Sequence, residues 1–147
     1  KTVVGRSSIE VKCDALFDDA KSEIFDAVVI SGGPGTDRLL GREDVLEFVK
    51  RHNAEGKICA AICAAPVVLK AAGVLEGRRR TAFPARAAEV GCCDESVPVV
   101  VDKNIITSRG AGTASEFAFA IVSALLGEDA ARKVAESICF SRADRPA

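Results

Sequence analysis

The sequence predicts an α/β fold, a layered sandwich with helices on both faces of a mostly parallel sheet. Three observations carry that reading. Ala27-Val28-Val29-Ile30-Ser31 and Ile58-Cys59-Ala60-Ala61-Ile62 are continuous apolar runs, the pattern of strands covered on both faces. Helical spacing follows each run, so strands alternate with helices along the chain. The length of 147 residues with 48% hydrophobic content supplies one core, so residues 1–147 are expected to form a single domain.

Each element follows in turn. Thr2-Val3-Val4, then Ile9, Val11 and Cys13 alternating with Ser8, Glu10 and Lys12, have the period of short strands. The run 27–31 ends in Gly32-Gly33-Pro34-Gly35, a tight loop. Val45, Leu46, Phe48 and Val49 keep helical spacing, and Gly56 stops that helix. The second run passes into a helix over 64–72, where Pro66 fits because the first turn needs no N–H from it. Residues 78–82 read as a further strand. Segments 97–101 and 105–107 flank Asp102-Lys103-Asn104 as a hairpin. Thr113-Ala114-Ser115-Glu116 has the form of a capping box, opening a helix that runs to Leu126 and stops at Gly127. Its nearly all-round apolar surface predicts a well-buried helix. A last helix places Ala131, Val134, Ala135 and Ile138 on one face.

Composition excludes several classes. Lys and Arg total 20 against 21 Asp and Glu, which gives no pull toward nucleic acid or an anionic membrane. No uncharged apolar stretch reaches the roughly 18 residues of a membrane-spanning helix. Met is absent and residue 1 is Lys, so the sequence reads as a piece trimmed at its front, and any targeting signal would precede it. Cys59 and Cys63 lack the His and the turn context of a zinc site, so no metal is expected. Cys92-Cys93 reads as a reduced surface pair, with a metal pair or a strained disulfide as alternatives. A sizeable core needs no disulfide framework, which points to a reducing compartment, the cytoplasm.

Cys63 is the first candidate for chemistry. It stands where a buried strand turns into a helix, the geometry of a nucleophile elbow. A helix N-terminus favours thiolate, and the N–H of Ala64 would face an oxyanion formed on an attacked carbonyl. The alternative is a small buried thiol filling a strand end. The glycines 32, 33 and 35 lack the Lys-Ser/Thr of a phosphate loop and the spacing of a dinucleotide fingerprint, so a turn is the default. His52, the single histidine, lies at a polar helix end and is expected to satisfy carbonyls or sit in solvent. Arg78-Arg79-Arg80 reads as a solvated turn.

The segments 27–35 and 58–66, and Thr107-Ser108-Arg109-Gly110-Ala111-Gly112-Thr113 with Glu116-Phe117-Ala118, resemble the ThiJ/PfpI superfamily. Within it they are most similar to the DJ-one branch, over nearly the whole chain. The resemblance implies a flavodoxin-like three-layer sandwich, usually a homodimer. It implies that Cys63 is the reactive cysteine, and that the backbone N–H groups of Gly33 and Ala64 hold an oxyanion or an oxidised sulfur. Cys13 resembles the second cysteine, near the dimer interface. Two departures stand out. Members of the family carry a strand, a helix bearing an acid–base glutamate and another strand before the region matching Lys1. No residue here matches that glutamate. The N-terminal part of the fold is therefore expected to be missing, or bound as a separate piece of about 40–50 residues. Phe83 stands where some members have a pocket histidine.

The resemblance implies a cofactor-independent glyoxalase or deglycase, with Cys63 attacking methylglyoxal, glyoxal or a glycated protein or nucleotide adduct through a hemithioacetal. The alternative is an oxidative-stress sensor and redox-regulated chaperone, using oxidation of Cys63. Protease and glutamine-amidotransferase readings are disfavoured: Ala64 stands where such proteases have His, and no His follows residue 52. A thiazole-biosynthesis reading finds no phosphate site.

Overall fold

The computed structural model describes residues 1–5, 7–91 and 93–141. Cys92 lies outside the described residues, and with it the reading of the Cys92-Cys93 pair. Strands β1 (Thr2–Val4) and β2 (Glu10–Lys12) pair antiparallel as a small hairpin. After α1 (Phe17–Ala20) comes β3 (Ala27–Ile30), then α2 (Thr36–Leu40), α3 (Glu43–Ala54), β4 (Ile58–Ile62) and α4 (Pro66–Ala71). A 3-10 turn at Pro84–Arg86 and α5 (Ala87–Val90) lead to the hairpin of β5 (Val99–Asp102) and β6 (Ile105–Ser108). Helices α6 (Ala114–Leu126) and α7 (Glu128–Ser137) follow.

The larger sheet has the order β3-β4-β6-β5. Strand β4 is parallel to both neighbours, with Ala27 opposite Ile58 on one side and Ile62 opposite Ser108 on the other. Its apolar run is explained by what covers it. Alternate residues face opposite layers: Cys59 and Ala61 join Val49, Val67, Leu69 and Leu75, while Ile58 and Ala60 join Ile106 and Phe117. Cys59, Ala60 and Ala61 are fully buried, and their small size lets the helices on both faces come close. Strand β3 is an edge among the described residues, and Val29 on it is 52% exposed.

Several expectations need correction. No strand forms over 78–82; a single bridge joins Arg80 to Cys93. The polar groups of that segment find side chains and loop carbonyls instead of a ladder. The N–H of Arg79 donates to Asp102 (2.8 Å), the N–H of Thr81 to the Thr107 hydroxyl (2.9 Å), and the Arg80 guanidinium to the carbonyls of Gly91 and Leu75. The Thr113 capping box does not form, because the Thr113 hydroxyl turns back to the Gly110 carbonyl at 2.9 Å. Helix α6 is not well buried: Phe117 and Glu116 are, but Leu126 at its end is 73% exposed. On the last helix's apolar face, Ala131 is buried while Val134 and Ile138 are exposed, and Ile138 lies past the end of α7. Helices α1 and α2 were too short to show an apolar period.

His52 is buried, and of its two expected placements it takes the one that satisfies a carbonyl. Its Nε2 accepts the N–H of Phe25 at 3.0 Å, so Nδ1 carries the proton and donates to the Phe48 carbonyl at 2.7 Å. Phe25 precedes β3 and His52 ends α3, so the ring sits at the amino end of the sheet. Among the described residues no helix is long and apolar enough to cross a membrane. No three His, Cys, Asp or Glu side chains among them form a metal-holding group.

His52→Leu keeps the bulk but leaves the Phe25 N–H without an acceptor and removes the side-chain bond to the Phe48 carbonyl. A loss of about 1–3 kcal/mol in urea denaturation is expected, with the labelling of Cys63 unchanged. An unaltered midpoint would show that the two bonds do not hold the loop before β3.

Candidate active site

The carboxyl ends of β4 and β6 lie side by side, and Cys63 is the first residue past β4. Its N–H continues the ladder to the Ser108 carbonyl at 2.9 Å. The chain then reverses sharply. Cys63 has φ +64°, the left-handed region that costs a non-glycine residue about 1–2 kcal/mol. Such a conformation persists where neighbours over-determine it. Here the Cys63 carbonyl accepts the N–H of Phe83 at 2.9 Å, and the N–H of Ala65 returns to the Ile62 carbonyl at 3.1 Å.

Gly32 leaves β3 against this turn. A Cβ on Gly32 would lie 2.7 Å from Cys63 Cβ, and 2.9 Å from both the Ala64 nitrogen and the Ile62 oxygen. No side chain fits. Gly33 follows at φ +112°, and its carbonyl accepts both the N–H of Thr36 (3.1 Å) and the Thr36 hydroxyl (2.8 Å), which turns the loop into α2. Among the described residues, neither the Gly33 N–H nor the Ala64 N–H has an acceptor. The sequence placed a helix start at residue 64. The structure starts α4 at Pro66 and gives it six residues, so the backbone presented at Cys63 is that of the Cys63–Ala65 turn.

The other cysteines stand apart. Cys59, on the same strand, is fully buried, and burial pushes its thiol from 9.0 up to about 11. Cys13 follows β2 in the small hairpin, outside the four-stranded sheet, with its N–H on the Lys1 carbonyl at 2.8 Å. Cys139 is exposed beyond α7. His52 lies at the opposite end of the parallel strands from Cys63, so the two do not form a dyad.

Sequence reasoning left the far wall of the site without a role. Phe83, whose backbone holds Cys63, is 43% exposed, with a ring carbon 3.6 Å from where a Gly110 Cβ would stand. Beside it a cavity of about 400 Å³ is lined by Phe83, Pro84, Arg109 and residues 110–113. The Ser108 and Thr113 hydroxyls lie 2.6 Å apart, and Ser108 also donates to the Pro98 carbonyl at 2.8 Å. These hydroxyls pin the loop that presents Arg109. The run from Thr107 to Thr113 was visible as a motif, but its folding back onto Phe83 was not.

A family model described as the DJ-1/PfpI family matches residues 1–124. Protein DJ-1 homolog B of Arabidopsis thaliana is 36% identical over 132 residues, covering 86% of this chain and 30% of its own length. The Caenorhabditis elegans protein named glutathione-independent glyoxalase DJR-1.2 is 32% identical over 148 residues, covering 94% of this chain and 80% of its own. A Pyrococcus horikoshii protein named a deglycase is 36% identical over 111 residues, covering 74% and 67%. Among solved structures, Drosophila melanogaster DJ-1beta superposes with a TM-score of 0.91 at 32% identity, over 96% of this chain and 78% of that one. Oxidized Toxoplasma gondii DJ-1 gives 0.90 at 30% identity, over 95% and 78%. The chain spans about a third of the length of its two Arabidopsis relatives.

Two outcomes are expected. Gly32→Ala forces the Cys63 turn to move, costing about 1–3 kcal/mol in thermal or urea unfolding and slowing alkylation of Cys63; a neutral substitution would mean that the two loops do not pack as described. Under limiting iodoacetamide near neutral pH, peptide mapping should find Cys63 modified first and Cys59 unmodified. Because the folded Cys59 thiol titrates above its unfolded value, its contribution to stability is complete below about pH 9 and lost as pH rises toward 11. Cys59→Ala should flatten that alkaline loss.

Proposed function

The chain belongs to the DJ-1/PfpI family and has its flavodoxin-like α/β sandwich; from that premise we propose that it is a cysteine-dependent glyoxalase or deglycase working through Cys63. One observation carries the reading: Cys63 is held at φ +64° at the end of a central parallel strand, beside Gly33 and Ala64 N–H groups that no described residue uses. Ligand sites of open α/β sheets lie at such carboxyl ends. The names of the worm glyoxalase and the archaeal deglycase support the same chemistry.

In this mechanism the Cys63 thiolate attacks the aldehyde carbon of methylglyoxal, and the resulting oxyanion is held by the Gly33 and Ala64 N–H groups. Protonation gives the hemithioacetal. A proton then moves from the former aldehyde carbon to its neighbour, a transfer that the family's acid–base glutamate, which no residue of this chain matches, would carry, leaving a 2-hydroxy thioester. Water cleaves the thioester, releasing lactate and restoring the thiol; the balance is one methylglyoxal and one water to one lactic acid. Glyoxal gives glycolate by the same route. The chain needs no cofactor in this scheme, and on the same reading it acts as one domain within a cytoplasmic homodimer.

A second reading, a redox sensor, is favoured by the oxidized state of the similar Toxoplasma structure. The same two N–H groups would hold a Cys63 sulfinate, formed by two successive peroxide oxidations.

The test is lactate formation from methylglyoxal by the full-length protein and by its Cys63→Ala variant. Turnover that falls by at least about a thousandfold in the variant supports catalysis. Turnover untouched by the substitution overturns it. No turnover, together with a two-oxygen mass gain confined to Cys63 under mild peroxide, leaves the sensor reading in its place.

A further inference from the structure

Arg109 is the first residue past β6, as Cys63 is the first past β4. The two strands are paired to their ends, with Ile62 opposite Ser108 and the Cys63 N–H on the Ser108 carbonyl. Adjacent strands run about 4.8 Å apart, so the backbones of Cys63 and Arg109 leave the sheet as neighbours. Phe83 closes the triangle. Its N–H holds the Cys63 carbonyl, its ring meets Gly110, and it lines one cavity together with Arg109.

The Arg109 side chain lacks what the chain's other sheltered arginines have. Arg51 donates to the Lys21 and Glu23 carbonyls, Arg78 faces Asp102, Arg80 holds the Gly91 and Leu75 carbonyls, and Arg86 pairs with Asp37 and Glu89. The Nε of Arg109, like those of Arg51 and Arg86, is sealed from solvent with no acceptor, but only at Arg109 among these five does no carboxylate or carbonyl of the described residues take the rest of the guanidinium. A half-buried guanidinium whose terminal donors no described residue takes matches a planar, two-oxygen anion.

We propose that Arg109, in the cavity beside the Cys63 turn, is an anion-holding residue, taking the carboxylate of a 2-hydroxy acid product or of an anionic aldehyde such as glyoxylate. The inference rests on the glyoxalase reading for its substrates. Methylglyoxal and glyoxal are neutral and lactate and glycolate are anions, so the charge Arg109 meets is the one that hydrolysis creates. Arg109 thereby positions the reacting carbon over Cys63 and extends the pocket to aldehydes that carry a carboxylate.

Two alkylating reagents of nearly equal size test this without any turnover: anionic iodoacetate and neutral iodoacetamide, with the rates at Cys63 read by peptide mass spectrometry. A single charge close to the sulfur is worth about a tenfold rate ratio in a partly screened site. Arg109→Gln should therefore lower the iodoacetate-to-iodoacetamide ratio about tenfold, and Arg109→Lys should retain most of it. On the unaltered protein, millimolar glycolate should protect Cys63 from both reagents, while ethylene glycol, which lacks the carboxylate, should not. That arm stands even if a variant does not fold. An unchanged ratio in folded Arg109→Gln, or equal effects of glycolate and ethylene glycol, overturns the assignment. Methylglyoxal turnover separates the two readings. Turnover with an unchanged ratio removes Arg109 alone; a shifted ratio without turnover removes the glyoxalase and leaves an anion site at Cys63.

Discussion

The contact on which the site depends is the one between Gly32 and Cys63. Two loops leave neighbouring parallel strands and meet where a hypothetical Cβ would be 2.7 Å from Cys63 Cβ. Only glycine permits that approach, and only that approach sets the Gly33 loop beside the Cys63 turn. The left-handed backbone of Cys63 is its counterpart. Bent at φ +64°, the residue leaves the strand direction and stands at the rim of the sheet. Neither feature is stable alone. The ladder bond to Ser108, the bond from Phe83 and the parallel pairing of β3 with β4 hold them together.

The rest of the fold works to keep those strand ends in place. Strand β4 is paired on both sides and covered on both faces, so its register cannot slip without moving Cys59 or Ala60 into the wrong layer. Beyond it, the loop that carries Phe83 is fastened by side chains rather than by a ladder. Asp102 takes the Arg79 N–H, Thr107 takes the Thr81 N–H, and the Arg80 guanidinium holds two carbonyls. The basic run that reads as a solvated turn is thus a set of tethers, with Arg80 buried. Through Phe83 those tethers reach the carbonyl of Cys63.

What could be read in advance follows the range of the interactions. Strands β3 and β4 and helix α3 were legible because their signal lies in contiguous side chains: unbroken apolar runs for the strands, a period of 3.6 for the helix. The hairpin of β5 and β6 was legible for the same reason, with its first strand starting two residues and ending one residue later than expected. The strand expected over 78–82 failed because its partners are side chains distant in sequence. His52 illustrates the same limit: its bond to a helix carbonyl was legible from its place at a helix end, but its burial was not, since the loop before β3 folds across it and donates the Phe25 N–H. Cys63 and the glycines at 32 and 33 were legible as a strand-to-turn pattern. Arg109 was visible only as part of a motif, since its place next to Cys63 depends on the pairing of β4 with β6.

Cys59 and Cys63 show why placement, rather than residue type, decides where chemistry is feasible on this sheet. They lie four positions apart on one strand and its turn. Cys59 points into the layer of Val49 and Leu69, where desolvation holds the thiol neutral to about pH 11 and its sulfur finds only the Val49 and Lys57 carbonyls at 3.8 and 3.7 Å. An anion there would meet oxygen atoms. Cys63 is where the strand's own ladder runs out. Beside it are the Gly33 and Ala64 N–H groups, which no described residue uses, and the paired strand β6 continues into Arg109; on the proposed reading, negative charge formed at that sulfur or on a carbon bound to it would meet those donors. The parallel arrangement creates the difference, because at its carboxyl ends successive loops converge and can turn their N–H groups inward. The thiol four residues earlier is packing, and the thiol at the end of the strand is the one on which the proposed chemistry rests.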